Sequence, residues 1–154
     1  MPLRKLEERD NQILGEIIRR SLEEHDLAIP GTVYYDDNLF QLSDYYKQDK
    51  AQYWVLEKEG QVIGGCGVGP YRGQIGEIQK LYIVKEEQGK GYAHLLMQQA
   101  LAFSKEHYAS CYIETFASLN KANRLYESYG FKALEAPLEG SEHGACDTWL
   151  YKEF

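Results

Sequence analysis

Proline is scarce, with four residues, and cysteine scarcer, with three. No apolar run approaches the ~18 residues that a membrane span needs. Each shortage excludes something. So few prolines beside a hydrophobic share of 44% rule out a disordered or low-complexity chain. Cys66, Cys111 and Cys146 are odd in number, widely spaced and contain no Cys-x-x-Cys pair. That pattern fits reduced thiols in a cytoplasm, not a disulfide framework or a zinc site. The stretch Met1–Glu7 lacks the apolar core of a signal peptide, so export is not expected. A basic cluster is missing too. Seventeen Lys and Arg face 24 Asp and Glu, for a net charge of −7. Gripping nucleic-acid backbone takes clustered cations, so a nucleic-acid role is disfavoured, whereas a cationic small substrate would be attracted.

What is present suffices for one domain over residues 1–154. A chain of this size buries roughly 70% of its unfolded surface and needs no staples. Thirteen tyrosines are many for the length, and half-buried rings with wet hydroxyls account for most of them.

Leu3–Glu8 reads as a short strand, and Asp10 as the N-cap of a helix whose stripe is Leu14, Ile17, Ile18 and Leu22. Asp37–Tyr46 is expected to form a second, shorter helix. Tyr53–Leu56 and Val62–Val68 form a hairpin; Gly64, Gly65 and Gly67 in its second arm indicate a bulge or a close approach by another group. Glu77–Val84 is a strand and Gly89–His107 a helix carrying Ala93, Leu96, Met97, Ala100 and Phe103 on one face. Ser110–Phe116 is a strand and Asn120–Tyr129 a helix that Gly130 is placed to end. Phe131–Ala136 and Ala145–Tyr151 close the chain as strands. The order is mixed α/β.

The segment richest in chemistry is Gln88-Gly89-Lys90-Gly91-Tyr92-Ala93, between a strand and the long helix. A helix N-terminus leaves about four amides without intrahelical partners and carries roughly half a positive charge. Glycines let those amides approach an anion, so the loop is a natural diphosphate cradle to which Lys90 can add charge. It is not a Walker loop, because Gly91 follows Gly89-Lys90 where Ser or Thr is required. It is a poor dinucleotide fingerprint, because His94 stands where the third glycine belongs. The plainer reading is a glycine-softened turn.

Gln88-x-x-Gly91-x-Ala93 resembles the Q/R-x-x-G-x-G/A loop of the GCN5-related N-acetyltransferase (GNAT) superfamily. Leu81-Tyr82-Ile83-Val84 is similar to that family's fourth strand. Leu125-Tyr126-Glu127-Ser128-Tyr129-Gly130-Phe131 is similar to its L-Y-x-x-x-G-F helix ending. The resemblance implies a mixed, largely antiparallel sheet of about seven strands flanked by four helices, with the fourth and fifth strands splayed. It implies acetyl-CoA as cofactor, its pantetheine on the backbone of Leu81, Tyr82 and Ile83. Its pyrophosphate would sit on the amides of Gln88, Gly89, Lys90, Gly91, Tyr92 and Ala93. The family's asparagine seven residues before the tyrosine is absent; Leu119 stands there, leaving Asn120 and Asn123 as candidates for that cofactor contact.

Acetylating a primary amine in a ternary complex needs a base for the amine, whose pKa is near ~10.4, and an acid for the leaving thiolate. The resemblance makes Tyr126 the acid. Glu77 and Glu114, carboxylates within strands, are the candidate bases, Glu77 ahead. Period-two alternation puts Glu77 on the face of Ile83, with Gln79 beside it. Either glutamate can instead be a structural carboxylate. Cys66 and Cys111 read as small core residues. His143, Cys146 and Asp147 are too crowded on one segment for a triad or metal site, and His143 or Trp149 is better placed as a wall beside the substrate. The alternatives are a non-catalytic acyl-CoA-binding or sensing module and a nucleotide-binding protein. The acceptor stays open among polyamines, aminoglycosides, peptide amines and amino acids, and a homodimer is one open arrangement.

Overall fold

The computed structural model describes Pro2–Phe154. Its chain order is β1 (Leu3–Lys5), α1 (Asn11–Glu24), α2 (Leu42–Tyr45), β2 (Gln52–Lys58), β3 (Gln61–Arg72), β4 (Ile75–Ile83), α3 (Tyr92–His107), β5 (Ser110–Thr115), α4 (Asn120–Ser128), β6 (Lys132–Leu134) and β7 (Thr148–Glu153). The seven strands form one sheet in the order β1-β2-β3-β4-β5-β7-β6. Neighbours are antiparallel except β4 and β5, which run parallel. This is the mixed, largely antiparallel architecture the motifs imply. No helix of the described residues is long and apolar enough to cross a membrane.

The sheet is buried on both faces, and alternation along β2 shows how. Trp54 and Leu56 join a core with Leu96, Met97 and Ala100 of α3, Cys111 and Ile113 of β5, and Tyr126 of α4. Tyr53 and Val55 join the opposite core with Leu14, Ile18 and Leu22 of α1 and Leu42 of α2. The expected stripe of α1 is buried throughout, and each such Leu or Ile contributes about 1.5–3 kcal/mol relative to exposure. The glycines of β3 make room for rings: a Cβ on Gly67 would lie 2.5 Å from the Tyr46 hydroxyl, and one on Gly65 would strike Tyr53.

Several expected boundaries move, each for a tertiary reason. The helix expected over Asp37–Tyr46 is only Leu42–Tyr45. Its first turn is pinned from α1, where Asn11 Oδ1 accepts from the Ser43 amide at 2.9 Å and Asn11 Nδ2 donates to Ser43 Oγ at 2.7 Å. Asp10 occupies the N-cap of α1 but does not cap it with its side chain. Its carboxylate instead receives both guanidinium nitrogens of Arg4 at 2.8 Å and the Glu7 amide at 2.8 Å. Helix α3 starts at Tyr92, not Gly89, because Gly89 and Gly91 hold φ of +79° and +86°. The last two strands are shorter than expected, Lys132–Leu134 and Thr148–Glu153. Gly130 ends α4 as read, at φ +91°.

The largest departure is in β4. Lys80 has a φ of +54°, and across from Cys66 of β3 the two residues Lys80 and Leu81 fit between the pairs Gly67–Gln79 and Gly65–Tyr82. This bulge resets the alternation. Ile78, Leu81 and Ile83 pack toward α3, while Gln79 bonds to Tyr46 and Tyr82 packs toward α1. Glu77 therefore does not share a face with Ile83. It shares one with Gln79, Lys80 and Tyr82.

Candidate active site

The loop before α3 has the features of an anion cradle. Among the described residues, the amides of Gly89, Lys90, Gly91, Tyr92 and Ala93 have no hydrogen-bond acceptor. A Cβ on Gly89 or Gly91 would meet nothing within 4 Å, so the loop opens on free space. Lys90 does not reach into that space alone: its Nζ donates to Glu87 Oε1 at 2.8 Å, and Lys58 of β2 donates to the same oxygen at 2.7 Å. Two lysines on one carboxylate leave a net positive charge beside the helix terminus, and they hold the Glu87 pKa below the ordinary carboxylate value. Gln88 ties the loop to the sheet, donating from Nε2 to the Ile83 carbonyl at 2.9 Å. The donor set and the open glycines fit a diphosphate.

The gap that leads from this loop lies between β4 and β5. Those strands share only the pairs Ile75–Ser110, Gly76–Cys111 and Glu77–Tyr112. Beyond them the β5 side of Leu81, Tyr82 and Ile83 faces no strand. Two carbonyls nearby are already engaged, Lys80 by the Tyr53 hydroxyl at 2.8 Å and Ile83 by Gln88. Tyr126 of α4 stands on the α3 side, 6% exposed, its ring edge-on to Phe131. Burial pushes its phenol well above the ordinary range, so it keeps its proton at neutral pH. No hydrogen bond to its hydroxyl is made among the described residues. Asn123 donates from Nδ2 to the Phe116 carbonyl at 2.9 Å, and its buried Oδ1 has no partner. Asn120 is the exposed first residue of α4 and does not cap it with its side chain.

The carboxylates lie on the opposite face. Glu77 and Glu114 are brought together there, flanking Tyr112. Glu77 Oε1 accepts from Gln79 Nε2 at 2.8 Å, and Gln79 Oε1 accepts from the Tyr46 hydroxyl at 2.8 Å. Burial, with the Glu114 charge adding to it, raises the Glu77 pKa to about 7. Glu114 Oε2 accepts from the Tyr112 hydroxyl at 2.9 Å, and that hydroxyl accepts from the Leu138 amide at 3.1 Å. Tyr71 packs against Tyr112 with ring centroids 4.6 Å apart and the rings tilted by 56°.

Three further residues meet on this face. Lys80 projects from the bulge with its side chain 9% exposed, and Asp36 Oδ2 lies 3.8 Å from its Nζ. Asp36 also receives His143 Nε2 at 3.0 Å, which raises the imidazole pKa. His143 thus lies on the same face as Glu77 and Lys80. Lys80 and Asp36 went unread; a lysine breaking the Glu77–Gln79 alternation was the available signal for the bulge, and nothing local marks Asp36. Cys146 is half-buried, its thiol pushed up to about 12, so it is no thiolate at neutral pH. Among the described residues no group of three or more His, Cys, Asp or Glu is arranged to hold a metal ion.

Known proteins share this sequence family and fold. Residues 16–131 match the Acetyltransferase (GNAT) family. The Escherichia coli (strain K12) protein named uncharacterized N-acetyltransferase YjgM is 36% identical over 156 aligned positions, covering 98% of this chain and 93% of that protein. An acetyltransferase from Streptococcus agalactiae 2603 has the same fold, with a TM-score of 0.85 at 16% identity over 99% of this chain and 97% of its own. The PaiA N-acetyltransferase of Thermoplasma acidophilum, solved in complex with coenzyme A, superposes with a TM-score of 0.75 at 17% identity, covering 99% and 98%. With the loop, the splayed strands and the matched length in place, the chain belongs to the acetyltransferase (GNAT) family.

Proposed function

We propose that the chain, as one domain, moves an acetyl group from acetyl-CoA to a primary amine by direct attack in a ternary complex. The observation that carries this reading is the disposition about the gap between β4 and β5: a neutral phenol on one face of the sheet, a carboxylate of raised pKa on the other. The amides from Gly89 to Ala93 would hold the diphosphate, and the unpaired edge of Leu81–Ile83 would hold the pantetheine amides. When bound, acetyl-CoA supplies the activated thioester acetyl group.

The residues of the chain then manage two protons. Glu77, ionised above about pH 7, takes a proton at its carboxylate from the acceptor's ammonium group, directly or through one water. Gln79, fixed by Tyr46, orients that carboxylate. Tyr126 holds its proton at Oη for delivery to the leaving sulfur. Glu114 keeps Glu77 basic by its charge and buttresses Tyr112. The free thiols suit a reducing cytoplasm.

The test is incubation with acetyl-CoA and a panel of amines, following free thiol and product mass. Acetylated amine at stoichiometry with thiol is the expected result. Tight acetyl-CoA binding without thiol release from any amine would instead describe a sensing module.

A further inference from the structure

From the β4 bulge we infer that Lys80 anchors a carboxylate of the acceptor, so that the amine acetylated belongs to a molecule carrying an anionic group nearby, a free amino acid. This rests on the transferase reading above and deepens it.

Most buried polar groups on this face have partners. Gln79 bridges Glu77 and Tyr46, Glu114 and Tyr112 hold one another, and Asp36 accepts from His143. Lys80 has only a long ion-pair contact, to Asp36. Its side chain is nine-tenths buried, yet its three ammonium protons make no hydrogen bond among the described residues. Asp36 Oδ2, at 3.8 Å, is beyond hydrogen-bond reach and already lies 3.1 Å from His143 Nε2. The Tyr45 ring, whose centroid is 5.8 Å from Nζ, offers a weaker cation–π contact. A buried ammonium with empty donor positions costs stability unless an acceptor fills them.

The backbone confirms that this placement is built in. At φ +54° Lys80 occupies a conformation that L-residues seldom adopt, and the bulge it forms turns Gln79 and Lys80 to the same face. Without the bulge the lysine would point into the α3 core. Glu77 lies on that same face, nearer the point where β4 and β5 part. An acceptor whose amine meets Glu77 therefore presents its next few atoms to Lys80. A cation there would repel a second positive charge and pair with a carboxylate.

The carboxylates facing Lys80 are Asp36, Glu77 and Glu142; Asp36 is already hydrogen-bonded to His143, and Glu77 loses its charge when it takes the proton of the amine. A polyamine would bring its second ammonium group against Lys80.

The experiment compares L-amino acids with their α-amides and their decarboxylated amines as acceptors, using the wild-type chain, Lys80→Met and Lys80→Arg. Expected is a preference for the carboxylate form of at least ~10-fold in kcat/KM. Lys80→Met should collapse that preference through KM and leave acetyl-CoA affinity intact. Lys80→Arg, which keeps the cation, should retain most of it. Wild-type turnover that favours amides or diamines would overturn the carboxylate anchor and leave the transferase reading standing, as would a preference unchanged in Lys80→Met. If no amine releases thiol, calorimetric titration of N-acetylglycine against N-acetylglycinamide decides independently. Lys80-dependent binding of the acid alone upholds the anchor, and equal or absent binding of the two sinks it.

Discussion

Glu77 of β4 and Tyr112 of β5 are the last residues the two parallel strands pair before they separate. The carboxylate assigned as base therefore stands where the sheet opens, with a tyrosine at its side that hydrogen-bonds the other candidate, Glu114. A one-residue bulge three positions later keeps the face with Glu77 polar while the opposite face stays apolar. Position, and not residue type alone, distinguishes the two glutamates.

The rate should show it. In the wild-type enzyme kcat/KM is expected to rise with pH through an apparent pKa near 7, as Glu77 loses its proton. Glu77→Gln should lower kcat/KM by ~10²–10⁴ and remove that limb. A pH–rate profile of the variant that still bends near 7 would transfer the base role elsewhere.

Stability carries an independent mark of the same group. Its pKa is raised from 4.5 to about 7 on folding, so between those values the native state binds more protons than the unfolded chain. Its contribution is complete below pH 4.5 and lost as pH climbs through 7. Glu77→Gln should thus be more stable than wild type above pH 7 by about 1–3 kcal/mol, and gain nothing near pH 4.5. Thermal melts of both proteins across this range supply the comparison.

Tyr126→Phe separates chemistry from packing. The phenol makes no hydrogen bond among the described residues, so its loss should change stability by less than ~1 kcal/mol. With acetyl-CoA saturating, kcat should fall on the order of 10²-fold. Unchanged kcat at unchanged Tm would dismiss the tyrosine as the acid.

Gly91→Ala examines the cradle. At φ +86° an alanine is strained by ~1–2 kcal/mol, but its Cβ meets no protein atom. Acetyl-CoA affinity measured by calorimetry should drop at least tenfold, because the methyl group projects into the open space of the cradle. Gly60→Ala, also at positive φ and with open space, supplies the control: similar loss of stability, affinity preserved.

Local pattern carried much of this molecule. The stripe Leu14, Ile17, Ile18 and Leu22 announces α1, since 3.6-residue periodicity reports a buried helix face directly. The loop from Gln88 to Ala93 is legible because amide donors and glycine freedom are properties of consecutive residues. The stop at Gly130 belongs to the same class.

What tertiary structure alone decided depends on residues distant in the chain. The second helix is set by Asn11 reaching Ser43, thirty-two positions away. The face of Glu77 is set by a register shift against β3, which reverses every parity beyond it. The raised pKa of that carboxylate needs burial by elements that meet only on folding. The meeting of Lys80, Asp36 and His143 draws on a strand and two loops, and no spacing rule links positions 36, 80 and 143. Periodicity and main-chain chemistry are local and can be read along the chain. Desolvation, charge pairing and strand register are sums over neighbours that the fold itself selects.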